Sequence, residues 1–212
     1  MKVTHGFVSF TEVEAGHHRS YNEWHLFDHM PEQFPLAGVV FGQRWVLTPE
    51  LRTHMHATAP LDRTHYFTLY LLAEPIQDTL RQFRTLAVEL REKGRFHEQR
   101  TAHLFGPLVV NNCVASPSAL VSAEAVPYRP NRGVHVSVSD APVEAIGLPG
   151  VAGAWTFNAT SLSPPELQGM TLTVAWLDED AESVAPELAQ HATFSATFAA
   201  IDPLGSWDWF EV

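Results

Sequence analysis

Two kinds of apolar periodicity alternate along the first 115 residues, and their order constrains the fold more than any other feature of the sequence. Residues 2–13 alternate with a period of two, placing Val3, His5, Phe7 and Ser9 on one face. Residues 18–30 read as a helix whose end is disturbed by Pro31 and Pro35, so a regular helix is not expected past Met30. Residues 39–48 and 64–73 read as strands joined by the polar connection 49–62. A long helix opens at Pro75 and runs to about Lys93, with Ile76, Leu80, Phe83, Ala87 and Leu90 on one stripe and Gly94 as its stop. Residues 103–115 are again extended. The order β-α-β-β-α-β is the split βαβ of a ferredoxin-like unit.

The remainder echoes that order in reduced form. A Pro/Ser/Ala-rich stretch, 116–130, reads as a linker between a first unit (1–115) and a second (131–212). Strands are expected at 133–139, 151–160 and 170–177. The segment 140–149 holds Pro142 and Pro149, which leaves its helix short or missing. A helix is expected at 181–200 and a last strand in the tail 206–212. PLAGVVFGQRW and GLPGVAGAW pair Gly38 with Gly150 and, across gaps that differ by two residues, Trp45 with Trp155, an echo that suggests an internal repeat. The predicted fold is therefore α+β: tandem βαββαβ units, the second degenerate.

Charge and histidine are divided unevenly between these units. Residues 1–115 carry 11 Lys and Arg against 12 Asp and Glu, whereas residues 116–212 carry 2 against 12. Ten of the twelve histidines lie in the first part, which places the titratable chemistry there and leaves the acidic part to complete the fold. A net charge of −11 disfavours a phosphate-backbone binder, so no nucleic-acid partner is expected. No apolar run reaches the ~20 residues of a membrane span, and the N-terminus lacks a signal-peptide h-region. With Cys113 the sole cysteine, an intrachain disulfide is excluded. A cytoplasmic location is the expectation.

The helix at 18–30 has unusual residues on its second face. At about 100° per residue, Tyr21, Trp24, His25, Asp28 and His29 share one arc, opposite Leu26, Phe27 and Met30. His25 and His29 are neighbours on such a surface, and Asp28 is within reach of His25. A carboxylate that orients an imidazole is what acid–base catalysis uses, although a solvated stripe fits the same spacing. Tyr66 and Tyr70 share a strand face with Thr68 and can orient a ligand or simply fill a core. Trp45 and Arg44 point to opposite sides of their strand, and Trp45 is the expected pocket wall. His25 and His29 have the spacing of a helical metal pair, but no third ligand is evident and HLFDH lacks the glutamate of H-E-x-x-H. No metal or other cofactor is predicted.

The segment YNEWHLFDHMPEQFPLAGVVFGQRW resembles EthD-like proteins of the dimeric α/β-barrel superfamily. Trp24, Asp28, His29, Pro31, Glu32, Leu36 and Gly38 stand at matching positions, and HYFTLYLL with its following helix is also similar. His25 and Ala37 depart from the pattern, standing where tyrosine and proline are common. The resemblance covers about residues 2–115. It implies ferredoxin-like sheets paired into a barrel, within a chain or in a homodimer, and a small aromatic or polyketide-like substrate. It also implies kinship with cofactor-free cyclases and monooxygenases and with haem-using branches. The leading expectation is a cofactor-independent lyase, cyclase or isomerase with His29 as acid or base and His25 or Asp28 tuning it. Tyr21, Trp24, Trp45, Tyr66 and Tyr70 would bind the substrate, a small hydrophobic molecule. A monooxygenase or metal/haem oxidoreductase is the second expectation, and a non-catalytic ligand-binding or stress-response module the third.

Overall fold

The computed structural model describes residues 2–189 and 192–210. Among the described residues, nine strands form one antiparallel sheet: β1 (Val3–Val13), β2 (Val39–Val46), β3 (His56–Ala57), β4 (Tyr66–Ala73), β5 (Arg100–Ala115), β6 (Gly133–Ser139), β7 (Val151–Asn158), β8 (Thr171–Leu177) and β9 (Phe194–Ala200). Eight of them run in the order β2-β4-β1-β5-β7-β8-β6-β9, and β2 then pairs with β9 through Trp45–Ala200 and Val46–Ala199. The sheet thereby closes on itself, and the barrel is complete within one chain. β3 adds two residues outside the ring, against β9. Each half uses the same strand order, second-third-first-fourth: β2-β4-β1-β5, then β7-β8-β6-β9. Gly38 and Gly150, the paired glycines of the sequence echo, precede the second strand of each half at φ +93° and +71°.

Alternation along the strands decides what fills the barrel. Phe10, Trp45, Phe67, Phe194 and Phe198 converge inside, with Phe10 5.1 Å from Phe67 and 5.0 Å from Phe194 between ring centroids. Gly6 leaves the space that the Phe157 ring occupies: a Cβ there would stand 2.8 Å from that ring. The interior is thus built as a packed core of aromatic and aliphatic side chains. Every residue of β4 is buried, because its outer face is covered too. That cover comes from α1 (His18–Trp24), the π-helical segment His25–His29, α2 (Met30–Gln33) and α4 (Ile76–Glu92).

Several expectations need correction. The first helix passes through Pro31 to Gln33, by widening at His25–His29 so that the Met30 N–H reaches the His25 carbonyl. This π turn precedes the proline, whose missing N–H would break a regular helical ladder. The connection 49–62 holds a short helix, α3 (Pro49–Arg52), besides β3. The helix expected at 181–200 ends as α5 (Ala181–Leu188), and FSATFAA is β9, its Phe194, Ala196 and Phe198 buried. The tail makes no strand over its described residues: Phe210 instead stacks on His18 at 4.0 Å, while Glu211 and Val212 lie outside the described residues. The stretch 116–130 packs through buried Val126 and Pro127, and Trp155 Nε1 donates to the Ala123 carbonyl at 2.8 Å. Segment 140–149 contains no helix. No described helix is long and apolar enough to cross a membrane.

Candidate functional site

A cavity of about 730 Å³ lies between the outer face of the first half's sheet and the helices that cover it. Its floor follows from strand register. Phe7 stands opposite Tyr70 and Ser9 opposite Thr68 across β1 and β4, and Arg44 stands opposite Thr68 across β4 and β2. Phe83 on α4 stacks on Phe7 at 5.5 Å and meets Tyr70 edge-on at 5.6 Å. Tyr21, His25 and His29 form the wall contributed by the first helix, and Phe96, His97 and Arg100 close one end. Only residues 162–164, from the loop after β7, come from beyond residue 130. The histidine-rich half therefore holds the cavity.

Two imidazoles stand side by side on that wall, their centroids 5.5 Å apart. His25 is 5% exposed; its Nδ1 is sealed without a partner, and Nε2, which has no hydrogen bond, is the nitrogen left open to the cavity. Burial first, and then the positive charges of Arg44 and Arg100, hold its pKa well below the usual histidine range. His29 stacks on the Trp24 indole at 4.4 Å, and its Nε2 lies 2.7 Å from the Gln33 amide nitrogen. Burial first, and then Arg100, lowers its pKa to about 4, with Asp28 opposing. Both rings are neutral at pH 7. The Tyr70 hydroxyl and Thr68 Oγ1 are buried on the floor with no hydrogen-bond partner, and burial raises the Tyr70 pKa. Unpaired buried polar groups are costly in a folded protein, and these four residues bring theirs to one cavity.

The residues singled out in the sequence divide into three groups. Tyr21, His25, His29 and Tyr70 meet at the cavity. Trp24 backs His29 and donates from Nε1 to the Arg95 carbonyl at 2.9 Å; Tyr66 lies beneath the first helix, its hydroxyl bound by Asn22 and His18. Asp28 and Trp45 are elsewhere. Asp28 turns outward to Arg95, which bridges it to Glu32 at 2.7 Å each. Trp45 is inside the barrel, stacked on Phe67 and donating to Asn131 at 2.9 Å. Its neighbour Arg44 takes the helix-covered side, 3% exposed, with Nη2 on Asn22 Oδ1 at 2.5 Å and its carbon 5.1 Å from the Tyr21 and Tyr66 rings. Sequence reasoning missed Arg100, Phe96 and His97. Their signal was the aromatic and basic run RFHEQR that leads into β5, which the pairing of Arg100 with Val13 brings to the cavity.

Among the described residues, no group of three or more His, Cys, Asp or Glu could hold a metal ion. His29 offers no free nitrogen to a haem iron, with Nε2 at Gln33 and Nδ1 sealed, which leaves His25 Nε2 as the open imidazole nitrogen on this wall.

No family model matches the chain, and no curated protein matches it. Solved structures do. A candidate chlorite dismutase aligns over 99% of this chain and 98% of its own, at 10% identity and a TM-score of 0.50. A candidate monooxygenase from Lactobacillus acidophilus NCFM shares 8% identity over 93% and 94% of the two chains, with a TM-score of 0.45. Another, from Fusobacterium nucleatum, shares 10% over 95% and 94%, with a TM-score of 0.49. The end-to-end likeness to the first shows that the two chains share a fold.

Proposed function

We propose that the protein is an enzyme that moves protons on a small aromatic or polyketide-like molecule held between the first half's sheet and its helices. The observation that carries this reading is a pair of neutral imidazoles, one with an open nitrogen, on the wall of an aromatic cavity. A neutral imidazole is the form that accepts a proton, and burial keeps it neutral without a metal or a cofactor. The open Nε2 supports His25 as the base. His29, fixed by Trp24 and Gln33, is its positioning partner and, as a second neutral ring, leaves His25 free to take the charge. Deprotonation of an activated ring or side chain is the first step of a lyase, cyclase or isomerase. The EthD-like pattern at residues 21–44 agrees with this reading, as does the repeated strand order, which we interpret as two ferredoxin-like units fused in one chain. Homodimer formation, which the resemblance also implies, is not needed to close this barrel.

Screening aromatic and polyketide-like compounds for turnover by mass spectrometry, with dissolved oxygen recorded in parallel, tests the proposal. His25→Asn is expected to lose ~10²-fold or more in kcat with the fold intact, and His29→Asn less. Ligands that bind without turnover would mark a binding module. Turnover coupled to oxygen uptake would give the same base the role it has in a monooxygenase. Turnover by His25→Asn within a few-fold of wild type would refute the assignment.

A further inference from the structure

The cavity contains cations without counter-charges, although the chain as a whole carries −11. Arg84, Arg91 and Arg100 line it, against one carboxylate, the exposed Glu98. Arg44 adds a fourth cation just beneath the floor. Among the described residues, none of these four has a carboxylate within ion-pair distance, whereas Arg95, Arg63 and Arg129 all do. Arg84 and Arg91 are exposed and solvated. The inner two are not: Arg44 is almost fully buried with Nε and Nη1 unpartnered, and Arg100 is buried at Nε with no partner there. The Arg100 carbon lies over the Phe96 ring at 4.7 Å and over Trp24 at 5.1 Å, which holds the guanidinium plane in position. Among the described residues its two terminal nitrogens have no hydrogen-bond partner, and neither is sealed from the cavity. Burying a guanidinium costs free energy unless its N–H groups are paired, so this arrangement is completed by an acceptor from outside the chain.

We propose that the cavity takes an aromatic carboxylate, with the carboxylate on the fork of Arg100 and the ring between Phe7, Phe83 and Phe96. The planar guanidinium fork matches a carboxylate through two parallel hydrogen bonds. The neutral His25 and the Tyr70 hydroxyl supply further polar contacts without cancelling the field of Arg44 and Arg100. A single fork inside aromatic walls suits a monoanion with an apolar body. The proposal rests on the reading of this cavity as the ligand site and specifies the class of ligand.

The test compares matched pairs, benzoate with benzamide, 2-hydroxybenzoate with 2-hydroxybenzamide and 1-naphthoate with 1-naphthamide, by calorimetric titration of the full chain. In each pair the acid is expected to bind at least about tenfold tighter than the amide. Arg100→Gln should remove that preference while leaving the amides within about twofold, and Arg100→Lys should restore part of it, with circular dichroism confirming the fold. Wild-type protein that binds acids and amides equally, or amides alone, would overturn the carboxylate assignment and leave the cavity as an aromatic site. Binding of neither would overturn both. An acid preference that survives Arg100→Gln would overturn the role of Arg100. The comparison on wild-type protein decides the class of ligand even if the variants fail to fold.

Discussion

Replacing His29 by asparagine tests whether the histidine pair is held neutral by its surroundings. In the fold the His29 pKa falls from 6.5 to about 4, through burial and then Arg100. A group whose folded pKa lies below its unfolded value stabilises the fold fully above the unfolded value, here 6.5. That contribution is lost as the pH falls toward the folded value of about 4. At ~1.36 kcal/mol per unit, the shift is worth at most ~3 kcal/mol, and solvent at the cavity edge of the ring reduces this to roughly 2 kcal/mol. Asparagine carries no titrating proton. The stability advantage of wild type over His29→Asn, whatever its size at pH 7, should therefore shrink by roughly 2 kcal/mol between pH 7 and pH 4. Urea denaturation of both proteins across that range measures it, and because the other histidines are shared, their effects largely cancel. Stability curves that stay parallel, or a His29 ring resonance that titrates near pH 6.5, would refute the reasoning.

Two further outcomes follow from packing. Phe67→Ala empties the centre of the barrel, where the ring meets Phe10, Trp45 and Phe198, and should cost ~3–5 kcal/mol in chemical denaturation with the cavity histidines unmoved in their NMR titration. Gly38→Ala places a methyl group against Thr79 Oγ1, which donates to the Ala37 carbonyl at 2.9 Å, at a backbone φ of +93°. The strain and the overlap together should cost ~2–3 kcal/mol, read as a lowered Tm; an unchanged Tm would show that the turn into β2 adjusts freely.

The strands of both halves were legible because each must alternate between a barrel interior and a covered exterior, a period that the sequence displays directly. β9 escaped for a specific reason. Its alanines look like helix formers, yet Ala196 lies between Phe194 and Phe198 in the barrel, where small and large residues alternate to fit the curvature. On the first helix the arc placed Tyr21, His25 and His29 correctly, but the same arc put Asp28 beside them. The π turn at His25–His29 changes the angle per residue, and Asp28 meets Arg95 instead. A fixed helical period cannot anticipate that widening. The opposite facings of Arg44 and Trp45 were readable from strand geometry; which side held the ligand was not. An aromatic ring is the intuitive pocket wall, but the barrel interior claimed the indole and left the buried guanidinium under the helix. Arg100, at the end of the run RFHEQR, could not be placed for another reason: it reaches the cavity by long-range pairing of β5 with β1.

Closure of the barrel by a single chain removes an equivalence that two identical subunits would impose. In a symmetric pair every substitution is made twice, and a pocket on one copy has its twin on the other. Here the outer face of the acidic half is free to differ: His135 is buried there between Thr197 and Ser195 at 2.9 and 3.2 Å. The loop at 162–164 serves the opposite half, forming part of the rim of its cavity. One half has become the other's scaffold. A ligand should accordingly saturate this protein with one molecule per chain and a simple hyperbolic isotherm, and cooperativity, if it exists at all, would have to come from contacts between chains.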